Sequence, residues 1–296
     1  MASAELQMVI DMMRAGPIPR DQPIAAQRAG LDSLSEMAPV PADATYDAVE
    51  IAGRPAAWIL ADGARADRTL LYLHGGGYCM GSLLSHRGLA TDLSRAAGVR
   101  VLLLDYRLGP EDPFPAAVDD ALAAYRHLLD NGVEARHIAI AGDSAGGGLT
   151  AATLLAARQA GLPRPAAGVL LSPWLDLTLS GESMDSRAAL DPMVQRVPLQ
   201  RMADAYLAGA DPRAPLASPL YADLTNLPPL LIHVGSAETL HDDATRFAVR
   251  ARAADVDATL EVWDDMIHVW HAFGFILPEA RDANARVGAF LKERLT

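Results

Sequence analysis

The chain has 296 residues, a length that fits one large domain or two small ones. Its composition, 51% hydrophobic and 21% charged residues, is close to the globular average and argues against a disordered chain. The formal net charge of −12 repels phosphates, so we expect no nucleic-acid partner and no stable membrane association, and the single cysteine excludes an internal disulfide.

The first residues carry the pattern of an amphipathic helix. Apolar residues recur at i, i+3, i+4 and i+7 from Leu6, which predicts a short helix that docks onto the protein itself. Acidic residues at 5 and 11 interrupt any apolar run and no basic start precedes one, so we expect no secretory signal. No stretch reaches the roughly 18 apolar residues of a membrane span. Together with the low cysteine content, this predicts a cytoplasmic protein.

The middle of the chain alternates short apolar runs with helical patterns. The runs typical of buried strands are Leu70–Leu73, Val101–Leu104, Ile138–Ala141, Val169–Leu171 and Leu230–Val234. The helical patterns between them are His86–Ala97, Ala116–Asn131, Ser144–Ala160 and Asp243–Ala254. This alternation predicts βαβ units and a mostly parallel sheet that is covered by helices on both faces.

Both ends of this pattern extend the sheet. The runs Tyr46–Ile51 and Ala56–Leu60 flank a segment with Gly and Pro, which predicts an antiparallel hairpin before the parallel strands. Ala258–Trp263 is predicted as the last strand and Ala280–Leu295 as a closing helix. The sheet should therefore contain about eight strands.

One long segment breaks the alternation. Residues 174–227 contain no clear strand and several prolines, with one helical pattern at Leu199–Leu207. A connection of roughly fifty residues is too long for an ordinary loop. We expect it to form, with residues 1–44, a small helical cap over a core made of residues 45–173 and 228–296.

A G-x-S-x-G pentapeptide occupies residues 142–146, between a predicted strand and a predicted helix. This context is typical of a nucleophile elbow, a sharp turn that exposes the Ser144 hydroxyl at the positive end of a helix. A glycine-rich helix start with a capping serine is the alternative interpretation. The order of strand, turn and helix favours the nucleophile.

A second glycine motif, His74-Gly75-Gly76-Gly77, follows another predicted strand. Consecutive glycines let backbone N–H groups approach a ligand, and such groups can hold the oxyanion of a tetrahedral intermediate. The N–H of the residue after the nucleophile, Ala145, commonly completes this set. A phosphate loop would need Lys and Ser/Thr at the helix start, where this chain has Tyr78 and Cys79.

Taken together, the motifs resemble the hormone-sensitive-lipase-like (family IV) bacterial carboxylesterases of the α/β-hydrolase fold. The matching segments are His74-Gly75-Gly76-Gly77-Tyr78, Asp105–Glu111, Gly142–Gly147 and Asp191-Pro192-Met193. The resemblance implies one α/β-hydrolase domain with oxyanion donors at Gly76, Gly77 and Ala145. It also implies that His74 braces the glycine loop and that Asp105–Glu111 forms an Arg-centred polar cluster.

The base should be a histidine after Ser144, because this fold has the order Ser, acid, His. His233 lies inside a predicted buried strand, and His241 lies at the start of a predicted helix, just past the loop that is expected to carry the acid. His268 and His271 both follow the last strand, and each precedes an aromatic residue by two positions. We expect His268 to be the base because it is closer to the strand end. His271 is expected to line the pocket or to be exposed.

The acid that orients the base is expected to be Glu238. The family commonly has Asp-Pro-Leu in this loop, with which Glu238-Thr239-Leu240 aligns, and glutamate is an accepted variant. Asp242 is the main rival, although Asp242 and Asp243 also fit the cap and first turn of the next helix. Asp264 and Asp265 are interpreted as solvated loop charges.

Other polar residues receive structural interpretations. The pair Asp119–Asp120 is typical of an exposed helix face, and Cys79 of a small buried hydrophobe. The histidines and carboxylates at 264–271 do not have the spacing of a metal site. We expect no metal and no cofactor.

The sequence therefore predicts a serine carboxylesterase that acts on small-molecule esters through an acyl-enzyme. The resemblance implies short acyl chains and a possible homodimer through the last strand or helix. A lactonase, amidase or peptidase could use the same residues. A non-catalytic binding protein similar to the gibberellin receptors is a remote alternative, since those receptors lack the catalytic histidine.

Overall fold

The computed structural model describes residues 3–16, 18–19, 21–36 and 41–296. The strands in these residues are β1 Ala44–Ile51, β2 Arg54–Ala61, β3 Arg65–Leu73, β4 Val99–Leu104, β5 Ile138–Asp143, β6 Ala167–Leu171, β7 Leu230–Gly235 and β8 Ala258–Trp263. The helices are α1 Ala4–Arg14, α2 Ile24–Glu36, α3 Leu83–Ala97, α4 Ala116–Asp130, α5 Ala145–Gln159, α6 Ser183–Ser186, α7 Arg196–Leu207, α8 His241–Ala253 and α9 Pro278–Arg294. No helix in the described part of the chain is long and apolar enough to span a bilayer.

The eight strands form one sheet with the order β1-β2-β4-β3-β5-β6-β7-β8. β2 pairs antiparallel with β1 and with β4, whereas all the other pairs are parallel. Ala52 and Gly53 join β1 to β2, and both have positive φ, as a two-residue hairpin turn requires. The predicted fold class, an α/β-hydrolase fold with a mostly parallel eight-stranded sheet and an entry hairpin, is confirmed.

The core lies on both faces of the sheet, because successive side chains of a strand point to opposite faces. On β3, Leu71 and Leu73 pack in the layer that contains α4, α5 and α8. Leu70 and Tyr72 of the same strand pack in the layer that contains α3 and α9. This burial explains why the parallel strands have continuous apolar sequences. The parallel pairing of β5, β6 and β7 brings their carboxyl ends to one edge of the sheet.

Two element boundaries differ from the prediction. α3 begins at Leu83, three residues before the predicted start, because Ser82 and Ser85 form a reciprocal capping box. A serine in the third helical position is a weaker sequence signal than the usual Glu or Gln. β3 begins at Arg65, and its register against β4 shifts between Arg65 and Thr69. Because residues 65–69 are mostly polar, no apolar run predicts the first part of this strand.

The segment 174–227 contains no strand, as predicted. It holds α6, α7 and a 3-10 turn at Pro219–Tyr221. α7 begins at Arg196, somewhat earlier than its apolar pattern indicates. The segment joins β6 to β7 and thus leaves the sheet at the edge where the carboxyl ends of these strands meet.

Candidate active site

Ser144 lies in the turn between β5 and α5, and its backbone is strained. Its φ of 53° and ψ of −121° fall outside the regions that residues with a side chain prefer. The turn is tight because glycines flank it. A Cβ on Gly146 would collide with the carbonyl oxygen of Leu73, and one on Gly142 with the carbonyl oxygen of Gly146. The pentapeptide therefore has the geometry of a nucleophile elbow.

Ser144, His268 and Glu238 form one continuous chain of hydrogen bonds. His268 Nε2 lies 2.9 Å from Ser144 Oγ, and His268 Nδ1 lies 2.8 Å from Glu238 Oε2. All three side chains are buried, with Glu238 fully enclosed. Because a carboxylate only accepts, the proton on the imidazole resides on Nδ1, and Nε2 is free to accept from the serine hydroxyl.

The pKa values of the histidine and glutamate follow from burial and from each other. Burial alone would lower the pKa of His268, but the hydrogen bond and charge of Glu238 outweigh it and raise that pKa above its ordinary value. Burial raises the pKa of Glu238, and the donors around its carboxylate oppose the rise. The arrangement stabilises an imidazolium that faces Ser144.

Two further donors hold Glu238 in place. Gly235 N and Ser172 Oγ donate to Glu238 Oε1 at 2.6 and 2.7 Å. Ser172 Oγ also accepts from Val269 N, the residue after His268, at 3.1 Å. Sequence reasoning missed Ser172. The only signal was its position directly after β6, at the edge where the site lies.

The rival carboxylates lie outside this chain of hydrogen bonds. Asp242 Oδ2 accepts from Ser183 N at 2.9 Å, and Asp243 Oδ2 accepts from Leu175 N and Asp176 N at 2.8 Å each. Asp242 and Asp243 lie in the first turn of α8, as expected, but neither caps the helix, since α8 has no side-chain cap. Both carboxylates accept from backbone N–H groups of the 174–227 segment, a contact that local sequence does not reveal.

His271 does not line the pocket and is not exposed, so that expectation is wrong. Its ring is fully buried, with Nε2 at 3.1 Å from Nδ1 of His233. The chain forms a 3-10 turn at Trp270–Phe273, which places this side chain against β7. Burial lowers the pKa of His271 well below its ordinary value, so it stays neutral.

The glycine loop, residues 74–77, carries backbone N–H groups that can donate to an oxyanion. Among the described residues, the N–H groups of Gly76 and Gly77 donate no hydrogen bond. Ala145 is the first residue of α5, so its N–H has no partner within the helix. His74 Nδ1 donates to Gly75 O at 2.9 Å, and burial lowers the pKa of His74 to about 3. A neutral His74 thus contacts the loop itself.

Polar contacts attach this loop to the strand that carries the serine. Asp143 Oδ1 accepts from Tyr72 Oη at 2.7 Å and from Gly75 N at 3.1 Å. Its Oδ2 lies 3.3 Å from His86 Nε2 on α3. Sequence reasoning assigned His86 no role.

The Arg-centred cluster near the site corrects another expectation. Arg107 Nη2 donates to Asp120 Oδ1 at 2.7 Å, and Arg107 N donates to Asp120 Oδ2 at 2.9 Å. Asp120 is buried whereas Asp119 is exposed, so the exposed pair predicted for α4 is wrong at Asp120. The helix turns Asp120 toward the polar cluster, where the arginine compensates its charge.

One cavity of about 430 Å³ connects the site with both segments outside the core. Ser144, His268, Gly76 and Gly77 line it. The rest of its wall is mostly apolar and includes Met12, Leu31, Leu34, Met193, Leu199 and Met202. Within the ranges that the structure describes, no three His, Cys, Asp or Glu side chains are grouped as a metal site requires.

Comparisons with known proteins agree with this geometry. A family model described as the alpha/beta hydrolase fold matches residues 70–272. The chain is 48% identical to an acetyl-hydrolase of Streptomyces hygroscopicus, covering 99% of this chain and 97% of that protein. It is 36% identical to an esterase of Acinetobacter venetianus, covering 90% and 88%. The crystal structure of an esterase from the bacterial hormone-sensitive lipase family matches with a TM-score of 0.97 and 50% identity over both whole chains.

Proposed function

Because the chain belongs to the α/β-hydrolase family, among the esterases of the bacterial hormone-sensitive lipase group, we propose that it hydrolyses short-chain esters of small molecules through an acyl-enzyme on Ser144. The chain is a carboxylic ester hydrolase. The observation that carries the proposal is the unbroken hydrogen-bond chain from Glu238 through His268 to Ser144 Oγ.

In the acylation step, Ser144 Oγ attacks the ester carbonyl carbon while His268 Nε2 takes the hydroxyl proton. Glu238 holds the ring so that Nε2 faces the serine, and its charge stabilises the imidazolium that forms. His268 then gives the proton to the leaving alcohol. The ester C–O bond breaks and the acyl group stays on Ser144.

The developing oxyanion is held by the amides of Gly76, Gly77 and Ala145. Preorganised donors of this type stabilise charge that exists only in the transition state, and losing one costs about 3–4 kcal/mol. The positive end of α5, where Ser144 lies, adds to this field. The free amides of Gly76 and Gly77 support this assignment.

In the deacylation step, a water molecule replaces the alcohol. His268 takes a proton from this water, and the hydroxide oxygen attacks the acyl carbon. The tetrahedral intermediate collapses, the carboxylic acid leaves, and the proton returns to Ser144 Oγ. His268 thus takes up and releases a proton in both steps, while Ser144 gains the acyl group in the first step and loses it in the second.

We assign the substrate preference to the cavity and to the segments around it. The described parts of residues 1–44, together with residues 174–227, form a cap, which is supported by their contributions to one apolar cavity wall. A cavity of about 430 Å³ encloses a small ester rather than a lipid droplet surface. The acetyl-hydrolase relative supports short acyl groups.

The test is hydrolysis of p-nitrophenyl esters from acetate to palmitate by the wild type and by Ser144→Ala. We expect fast turnover of the short chains and none above background in the variant. Ser35→Ala is the matched control, because Ser35 lines the same cavity while its hydroxyl only donates to Leu31 O at 2.8 Å. Turnover that survives Ser144→Ala would overturn the nucleophile. A preference for palmitate would overturn the short-chain assignment.

A further inference from the structure

Asp191 lies in the loop between α6 and α7, and its carboxylate is buried with 2% of the residue exposed. Its Oδ1 accepts from Met193 N at 2.8 Å and from Val194 N at 2.9 Å. Its Oδ2 accepts from Thr239 N at 2.9 Å and from Thr239 Oγ1 at 3.2 Å. Three backbone N–H groups and one hydroxyl therefore face the two oxygens of this carboxylate. Among the described residues, no Lys, Arg or His forms an ion pair with it.

The two oxygens of the Asp191 carboxylate bind two different parts of the site, the loop that carries Glu238 and the wall of the cavity. Thr239 directly follows Glu238, so Oδ2 is anchored one residue from the acid of the hydrogen-bond chain. Met193 and Val194 line the cavity, so Oδ1 is anchored on its wall. The single hydroxyl proton of Thr239 lies within reach of two acceptors, Asp191 Oδ2 at 3.2 Å and Val194 O at 3.3 Å.

Resting on the proposed function, we propose that Asp191 is a positioning residue for ester hydrolysis, which anchors the loop that holds Glu238 against His268 and adds a buried carboxylate whose charge acts on the imidazolium. It contacts neither substrate nor the reacting atoms. Its role arises from the network of backbone amides that it joins. An uncompensated buried charge acts strongly on a neighbouring ion, because the protein interior screens it less than water does.

The effect of the Asp191 charge on the pKa of His268 depends on the other charged groups near the ring. Glu238 contacts the ring directly, and Asp143 and Asp191 are the further carboxylates that raise the pKa of His268. Asp143 accepts from Tyr72 Oη at 2.7 Å and lies 3.3 Å from His86 Nε2. His271 is neutral because burial lowers its pKa well below the ordinary value. Unlike Glu238, which pairs with His268, Asp191 has no Lys, Arg or His within ion-pair distance among the described residues.

A purely structural anchor and a positioning charge predict different kinetics. Removing an anchor lowers the stability or the amount of active protein but leaves the titration of His268 unchanged. Removing the charge makes the imidazolium less stable, which lowers the pKa of His268 and moves the acid limb of kcat/KM to lower pH. Misplacing the base affects the transition state more than substrate binding, so kcat falls while KM changes little.

The experiment is a pH–rate profile of Asp191→Asn with p-nitrophenyl butyrate, in the full chain. We expect a kcat at least about tenfold lower, a KM within about threefold of wild type, and an acid limb lower by roughly half a pH unit. Asp191→Glu keeps the charge and should leave the limb at the wild-type position. If Asp191→Asn does not fold, Asp191→Ser removes the same charge from a smaller side chain and is measured instead.

The matched control is Asp243→Asn. Asp243 is also buried and accepts from two loop amides, Leu175 N and Asp176 N. Burial raises the pKa of Asp243 to about 8, so over the acid limb Asp243→Asn removes an anchor without removing a charge. For Asp243→Asn we expect a lower free energy of unfolding and an acid limb of kcat/KM at the wild-type pH. A limb that stays in place in folded Asp191→Asn overturns the inference, and so does an equal shift in Asp243→Asn. Ser144→Ala is assayed alongside, because its residual turnover would instead overturn the proposed function.

Discussion

Glu238 lies between β7 and α8 and Asp242 lies in the first turn of α8, yet only Glu238 reaches the histidine. Its Oε2 lies 2.8 Å from His268 Nδ1, whereas Asp242 binds the backbone of Ser183. We therefore expect Glu238→Gln to lower kcat/KM by about 10³–10⁴, because an amide neither fixes the imidazole tautomer nor stabilises its charge. Asp242→Asn should stay within about fivefold of wild type.

Steady-state kinetics on the two purified variants check this prediction. Circular dichroism shows whether each variant is folded. A folded Glu238→Gln enzyme with near wild-type turnover, together with a large loss in Asp242→Asn, would transfer the acid role to Asp242.

The titration of His268 sets the pH range of activity. Hydrolysis needs the neutral imidazole, and the Glu238 hydrogen bond outweighs burial and raises the pKa of His268 above 6.5. A raised pKa keeps the proton bound to higher pH, so activity is lost as pH falls through a value above 6.5. We expect the midpoint of the acid limb of kcat/KM above that value. A midpoint below it, measured in buffers of constant ionic strength, would contradict the electrostatic account.

The sequence predicts the residues that local patterns mark and misses those that distant contacts create. Ser144 follows a strand and opens a helix, and His268 follows the last strand, so both are visible locally. The roles of Ser172 and Asp191 depend on contacts with loops 66 and 48 residues away, to Glu238 and Thr239. No period or spacing contains that information, because it arises only when the carboxyl ends of the strands meet.

Helix packing makes two glycines respond in opposite ways to the same added methyl group. Gly146 is in the first turn of α5, where a Cβ would collide with the backbone of Leu73 and His74. Gly88 is inside α3, and a Cβ there meets nothing within 4 Å. Gly88→Ala should raise the free energy of unfolding by about 0.5–1 kcal/mol, because alanine favours the helix.

Gly146→Ala should lower the free energy of unfolding by more than about 3 kcal/mol, because the clash is with backbone that cannot rotate away. Urea unfolding of the two variants gives the comparison. A stable Gly146→Ala protein would mean that the approach of α5 to β3 is looser than these distances indicate.

Element prediction succeeds where burial is uniform and fails where polar contacts set a boundary. The parallel strands are buried on both faces, so their apolar runs are continuous and easily identified. The start of α3 is set by a hydrogen-bonded pair of serines, and the start of β3 lies in a polar stretch with an irregular register. Asp120 is buried only because Arg107 reaches it from another loop.

Across the whole molecule, the N-terminal helix packs against the loop that carries the histidine. Leu6, Val9 and Met13 of α1 share one apolar cluster with residues on both sides of His268, namely Met266, Ile267, Trp270 and Phe273. The predicted docking of this helix onto the protein is thus observed, and the helix packs against the loop that carries His268. We therefore expect stability at the N-terminus and orientation of the base to be coupled.

Leu6→Ala tests this coupling, because Leu6 is fully buried in the shared cluster. The cavity should cost about 2–5 kcal/mol locally and should lower kcat, since the loop with His268 loses its support. Met8→Ala on the same helix is the matched control, because Met8 is 60% exposed and its loss should change stability by less than about 0.5 kcal/mol. Thermal unfolding and kcat are measured on both. If Leu6→Ala lowers the unfolding temperature while kcat at 25 °C stays at the wild-type value, α1 stabilises the fold without orienting the base.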